Sequence, residues 1–421
     1  MKEANLSKHL FLSGCVGLLL SGTTVLPCSA AANSDGCAET QKKSYTVSAG
    51  NKRVTGKTYT SSESDENAVK VSGGTLTLTD CTLSKDGGGT LITDYSSFYG
   101  TNAALLAKNK GTVNMNGGKI FTDAVGANGI VAYGGTVNVS DVIINCTNRL
   151  SRGIHATGGG TINASNLTIN TQAGNSSVIA LDRGGGTVNV TGGSYTTRGN
   201  DSAILYSTGN LTVNNISGTS YNGEIGVIEG DNHITIYDSD LTSGANEHSR
   251  GLMILQSGSG DAGTGINGII NVKGGMLTLT GQKTSLIEIV TNVKGKVTLD
   301  GVRTNIPSGI LMTVDYNKRW QTHGATGILI LSGAGTTYTG SIVTDAYSSA
   351  QLTVNSGVLW KGAYDNADTG LSTSLIIDGG TWELTADSNI DSIVLTNNAT
   401  IRKNGFTLNC PNITQTSGSI Q

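Results

Sequence analysis

A short phrase, Gly-Gly-Thr-Val-Asn-Val, returns along this chain with small variations, and repetition at a steady period constrains a fold more than any single motif. It stands as Gly73-Gly74-Thr75-Leu76-Thr77-Leu78, and again at Gly134 to Val139, Gly159 to Ala164 and Gly185 to Val190. Weaker copies begin at Val113, Leu211, Ile234, Ile269, Val297, Ile328, Leu352 and Leu375. Counted between first apolar residues from Leu76, the intervals are 37, 24, 25, 26, 23, 23, 35, 28, 31, 24 and 23. A unit of 23–26 residues therefore dominates, and the longer intervals read as the same unit carrying a loop insertion.

Each unit holds three strand-like runs. Thr187-Val188-Asn189-Val190 is followed by Ser194-Tyr195-Thr196-Thr197 and then by Ala203-Ile204-Leu205-Tyr206, with Gly- and Asn-rich turns between. The third run recurs at Ile130, Ile154, Val178 and Val227. Leu76 and Leu78 alternate with Thr75, Thr77 and Thr79, a period of 2 rather than 3.6. Thr, Val and Ile favour strands, and frequent glycine undermines a helical solenoid. Pro is only 3 of 421 residues against 60 Gly, which suits uninterrupted ladders, because proline cannot donate to one. The expected fold is all-β: a right-handed parallel β-helix with about three short strands per coil. Stacked at about 4.8 Å, roughly 13 to 15 coils would make a rod of roughly 60 to 70 Å.

Alternation assigns faces. Leu76, Leu78, Val137, Val139, Val188 and Val190 point inward. Thr77, Asn114, Asn138, Asn163, Asn189, Thr212, Thr235, Asn271, Thr298 and Thr353 form one outward file, interrupted at Leu329 and Ile376. Thr75, Thr112, Thr136, Thr161 and Thr187 form a second. Thr and Asn also simply suit a solvated sheet.

Four segments follow: a signal peptide at 1–32, an N-terminal cap region at 33–70, the β-helix at 71–390, and degenerate terminal coils or a C-terminal cap at 391–421. The signal reading rests on Lys2 and Lys8, the apolar stretch Leu10 to Leu26, and the small residues Ser29 to Ala32. A membrane anchor is the competing reading, opposed by the interrupting Ser, Gly and Thr and by Pro27; cleavage leaves no membrane span. Leu12-Ser13-Gly14-Cys15 matches a lipobox, but too short an apolar run precedes it. Export would place Cys37, Cys81, Cys146 and Cys410 in an oxidising compartment, with the pairing open. Cys81 and Cys146 lie at least two coils apart, roughly 10 Å along the axis, beyond the ~7 Å Cα separation of a disulfide, so they are not expected to pair. The cysteines match no zinc spacing, and no metal or other cofactor is expected. A net charge of −3 without a Lys/Arg-rich stretch gives no footprint for nucleic acid.

The chain resembles right-handed parallel β-helix proteins among bacterial adhesins and autotransporter passengers, and more closely a group of adhesin-like secreted β-helix proteins. The similar stretches are Glu66-Asn67-Ala68-Val69, Phe98 to Ala104, Asp182-Arg183-Gly184-Gly185-Gly186-Thr187, Ile228-Glu229-Gly230 and Gly379-Gly380-Thr381-Trp382. The resemblance covers roughly residues 60–410 and implies export and surface display, with no catalytic motif to carry over. No C-terminal barrel of alternating strands follows. Release, non-covalent retention and truncation relative to an autotransporter all stay open.

The expected function is an adhesin or structural rod, secreted or at the cell surface, that recognises glycans or surface proteins, with insertions in the 76–113, 234–269 and 297–328 intervals as recognition loops. A polysaccharide lyase or glycoside hydrolase on the same fold is the alternative, and ice binding through the Thr/Asn files a minor one. The richest constellation is His155, Asp182, Arg183, Tyr206, Glu224, Glu229 and Asp231 on successive third runs. No residue is assigned a catalytic role. Asp182, Tyr206, Tyr221 and Glu229 are the carbohydrate-binding candidates. Aligned on Ile130, Ile154, Ile179, Ile204 and Val227, Asp182 and Glu229 fall out of register with each other. The oligomeric state is open.

Overall fold

The computed structural model describes residues 42–244, 250–257, 261–316, 323–365 and 367–421. The signal segment and Cys37 lie outside the described residues. The chain is a parallel β-helix with three strands to a coil, and every ladder between named strands is parallel.

The Thr-Val-Asn-Val strands build the first ladder. Its inward column runs Leu76, Val113, Val137, Ile162, Val188, Leu211, Ile234, Ile270, Val297, Leu329, Leu352, Leu375 and Ile393, one residue per rung. All thirteen are buried in one continuous core. Two expectations are corrected here. Ile269 and Ile328, taken as the first apolar residues of their units, pair with His233 and Lys296 in an outward column. Leu329 points inward, and Ile330 is the residue that interrupts the Thr/Asn file. Where two aliphatics adjoin, alternation alone does not say which one faces the core.

A single bent residue turns the first ladder into the second. Gly56, Asp80, Gly117, Asp141, Asn166, Gly192, Asn215, Asp238, Gly274 and Gly301 occupy this corner on ten successive rungs, with φ between 44° and 68°. Only Gly, and less readily Asn or Asp, accepts this left-handed conformation at small cost. The second ladder then stacks Tyr59, Leu83, Ile120, Ile144, Ile169, Tyr195, Gly218, Leu241 and Leu277. Tyr195 is fully buried, and Gly218 follows it on the next rung, so a large side chain is met by an absent one. Near the C-terminus the core is aromatic: Tyr338, Trp360 and Trp382 succeed one another, the two indoles stacked at 5.0 Å.

The second ladder ends in an inward polar column, Ser61, Lys85, Thr122, Cys146, Thr171, Thr197, Ser220 and Ser243. Several of these groups satisfy corner carbonyls, as Thr171 Oγ1 does on Ser176 O (2.6 Å) and Ser220 Oγ on Ser202 O (2.8 Å), whereas the Thr122 and Thr197 hydroxyls are buried without a hydrogen-bond partner among the described residues. Cys146 occupies one rung of this column and Cys81 lies two coils earlier; both are buried, free thiols.

The third ladder closes each coil. From Lys42 onward the N-terminal segment already forms a coil in register with the next, Tyr45 opposite Val69 and Val54 opposite Leu78. At the other end Ser392–Thr396 and Asn412–Gln415 continue the first ladder in shortened coils.

Candidate functional site

The third ladder decides where the charged candidates go. Its register is Leu105, Ile130, Ile154, Ile179, Leu205, Gly226, Leu252. The sequence alignment slipped by one residue at Ile204 and by one, in the opposite sense, at Val227. The cause is local: Val178 and Ile179, and Ile204 and Leu205, are both buried pairs at a corner, and Gly226 offers no apolar marker. With the register corrected, Asp182 and Glu229 each lie three residues beyond their rung residue. They share one outward file, two rungs apart with Thr208 between. Their Cα atoms are therefore roughly 9–10 Å apart.

Two insertions cover this face. The first, in the 76–113 interval, holds the helix Thr93–Tyr99, ended by Gly100 with φ 71°. Gly100 lies so close to Leu106 and Val131 of the ladder that an added Cβ would stand 2.7 Å from each side chain. Thr157 Oγ1 donates to Phe98 O (3.1 Å), tying the helix to the rungs beneath. The second insertion brings Ser257 and Asp261. The third interval includes residues 317–322, outside the described residues.

Beneath these segments the charges are interlocked. Arg152 Nη2 donates to Asp182 Oδ2 (3.0 Å), and Arg152 Nη1 to Ser97 Oγ of the helix (3.2 Å). Arg183 lays its guanidinium 3.8 Å above the Phe98 ring while its Nε donates to Asp261 Oδ1 (3.0 Å). Ser257 Oγ donates to Glu229 Oε2 (3.1 Å). Asp182 is fully buried and Glu229 only 6% exposed. Burial pushes the Asp182 carboxyl up to about 6, against the pull of Arg152. Burial likewise pushes Glu229 up to about 8; the Ser257 hydrogen bond opposes this, and Asp182 and Asp261 add to it. His155, in the neighbouring outward file, is fully buried, and neither ring nitrogen has a hydrogen-bond partner. Its pKa falls through burial and the Arg152 charge, so the ring is neutral.

The remaining candidates lie apart or inside. Tyr206 packs with Ala180, Val227 and Met253 at 7% exposure. Tyr221 is 46% exposed at the corner after the second ladder, with the Arg198 guanidinium 4.4 Å above its ring. Asp231 is exposed. Glu224 belongs to a second buried group around Arg250, whose Nε pairs with Glu288 Oε2 at 2.7 Å. Burial raises Glu224 to about 8 and Asp315 to about 7. Sequence reading missed Arg152, Asp261, Arg250, Glu288 and Asp315. The first two and Arg250 lie in corners or insertions, where no repeat pattern marks a position.

The open counterpart is the outward face of the first ladder. Asn138 Nδ2 donates to Asn114 Oδ1 (2.9 Å), Asn163 to Asn138 (2.9 Å) and Asn189 to Asn163 (3.0 Å). Beside this amide ladder runs a parallel file with Asn116, Ser140 and Ser165. Between the files lies a shallow trough, floored by Met115 and Val139 and walled by Thr77, Asn114, Asn138 and Asn163. Thr212, Thr235, Asn271 and Thr298 continue the file toward the C-terminus.

Comparison of the chain with protein-family models, with curated proteins and with solved structures found no match.

Proposed function

We propose that this protein is a non-catalytic binding rod, exported in the manner of an adhesin. Its Thr/Asn face seats a neutral, hydroxyl-rich ligand such as a glycan chain. The supporting observation is the amide ladder. An asparagine amide offers two N–H donors and an oxygen with two lone pairs. Each inner rung spends one donor and one lone pair on its neighbours. One donor and one acceptor per rung therefore stay available, repeated about every 4.8 Å along a straight line. Sugar hydroxyls, which both donate and accept, match that alternation.

The hydrolase reading needs two carboxylates facing a substrate cleft. Asp182 and Glu229 share a file, but both are shielded, and Asp182 is already paired with Arg152. The two readings separate cleanly. The full chain is titrated against a panel of soluble polysaccharides, with Asn138→Ala/Asn163→Ala alongside and release of reducing ends or unsaturated products monitored. Binding without product, weakened at least tenfold in the double variant, supports the rod. Product formation, or binding indifferent to the substitutions, refutes it.

A further inference from the structure

The cluster beneath the two insertions contains three buried carboxylates, Asp182, Glu229 and Asp261, and only two guanidiniums, Arg152 and Arg183, with the half-buried Asp94 of the helix also facing Arg183. His155 is neutral and supplies no compensating charge. An uncompensated charge at this depth is far costlier than a bound proton, so the sealed arrangement holds one proton. Glu229 is its natural carrier. Asp182 and Asp261 each meet a guanidinium, whereas Glu229 is met by the Ser257 hydroxyl on one side and by the other two carboxylates.

The same few residues fasten both insertions. Arg152 reaches from the rod to Ser97 of the helix, and Ser257 of the second insertion reaches back to Glu229. Arg183 is clasped between them, with Phe98 of the first insertion on its face and Asp261 of the second on its edge. Neither insertion can lift without disturbing the group that holds the other.

We propose that this cluster is a proton-held latch, in which loss of a single proton from Glu229 releases both insertions and uncovers the outer face of the third ladder. The direction follows from linkage. Glu229 has a folded-state pKa raised above its ordinary value, so the closed state is favoured while the carboxyl stays protonated. That advantage is lost as pH rises through about 8. Between the ordinary glutamate value near 4.5 and about 8 each pH unit multiplies the opening constant about tenfold, the slope of one released proton, and above about 8 the constant levels off because Glu229 is ionised in both states. The uncovered surface comprises Leu106, Val131 and His155, an apolar and neutral patch unlike the amide face across the rod.

Hydrogen exchange of the full chain between pH 6 and 10, corrected for intrinsic exchange rates, tests this. Protection in residues 86–104 and 261–268 is expected to fall about tenfold per pH unit from pH 6 to about 8 and to level off above it, while the first-ladder amides 186–190 stay protected. Glu229→Gln, which keeps the Ser257 contact and cannot ionise, is expected to abolish the slope. Asp261→Asn leaves two buried carboxylates against two guanidiniums. It should loosen 261–268 at every pH and still remove the slope below pH 8 from 86–104, which provides a readout even where the Gln variant folds poorly. A wild-type profile flat between pH 6 and 8, or an unchanged slope in either variant, would overturn the latch.

Discussion

Gly192 and Gly193 are adjacent, both have positive φ (66° and 98°), and the structure predicts very different tolerance for a methyl group. At Gly192 the new Cβ would stand 2.6 Å from Asn166 Oδ1, the far end of an exposed side chain free to swing away. What remains is the left-handed backbone itself, about 1–2 kcal/mol for a non-glycine residue. At Gly193 the Cβ would run into the Leu167 carbonyl oxygen and stand 2.8 Å from the Leu167 nitrogen, both backbone atoms. Those atoms belong to a rung in register with Gly193 and cannot retreat without pulling Thr168 away from Ser194. Overpacking of this kind adds about 1–3 kcal/mol, and occasionally more, to the conformational penalty. Gly192→Ala should therefore cost about 1–2 kcal/mol and Gly193→Ala about 2–5 kcal/mol. Because a solenoid can open coil by coil, the sensitive assay is hydrogen exchange of residues 160–171 and 186–197, with urea unfolding of the whole chain beside it. Asp141→Gly, at the same corner two rungs earlier, should be neutral or stabilising, since it relieves a positive φ of 57°. Equal costs at the two glycines would mean that the backbone contact at this corner does not limit the sequence.

Other expectations rest on separate features. Arg152→Met leaves Asp182 buried without its cation, which should destabilise the insertion-bearing coils by about 3–5 kcal/mol in denaturant unfolding; a loss under 1 kcal/mol would show that water reaches the carboxylate. Trp382→Ala empties a fully buried site and removes the Nε1 donor to Gly362 O (2.9 Å), at about 3–5 kcal/mol. Its effect should be confined to the C-terminal coils in hydrogen exchange, and a loss spread evenly along the rod would contradict one-dimensional coupling. Among the described cysteines, Cys410 should react with a maleimide in the native protein well before Cys81 or Cys146, both buried, with the Cys146 thiol pushed up to about 11 by burial. Mass spectrometry of the labelled peptides reads the order directly, and early labelling of Cys146 would place it nearer solvent than its column allows.

The architecture was legible because its signal is redundant. Thirteen inward aliphatics on one ladder repeat the same statement, so single slips at Ile269 and Ile328 did not disturb the period. The charged site offered no such redundancy. Its register depended on one residue per coil at the least regular corner, where Ile204 and Leu205 both face the core and Gly226 is silent. One slip in each direction separated Asp182 from Glu229, which the structure returns to one file. The partners that make the cluster intelligible, Ser97, Phe98, Ser257 and Asp261, arrive from insertions whose length was visible but whose landing place was not. Side chains meeting across 78 residues of sequence, as Arg183 and Asp261 do, leave no trace in a period of 23–26.

The outward file of the first ladder changes character along the rod. From Thr77 to Thr298 every rung is Thr or Asn, and beyond it come Ile330, Thr353, Ile376 and Val394. Since all strands of that ladder run the same way, no symmetry of the fold exchanges its two ends. The molecule is in effect an arrow, wettable toward its tail and oily toward its head. Anything lying lengthwise against it meets a gradient and not a uniform strip. Orientation on a flat target would thus be written into the surface itself, without a dedicated loop at either end.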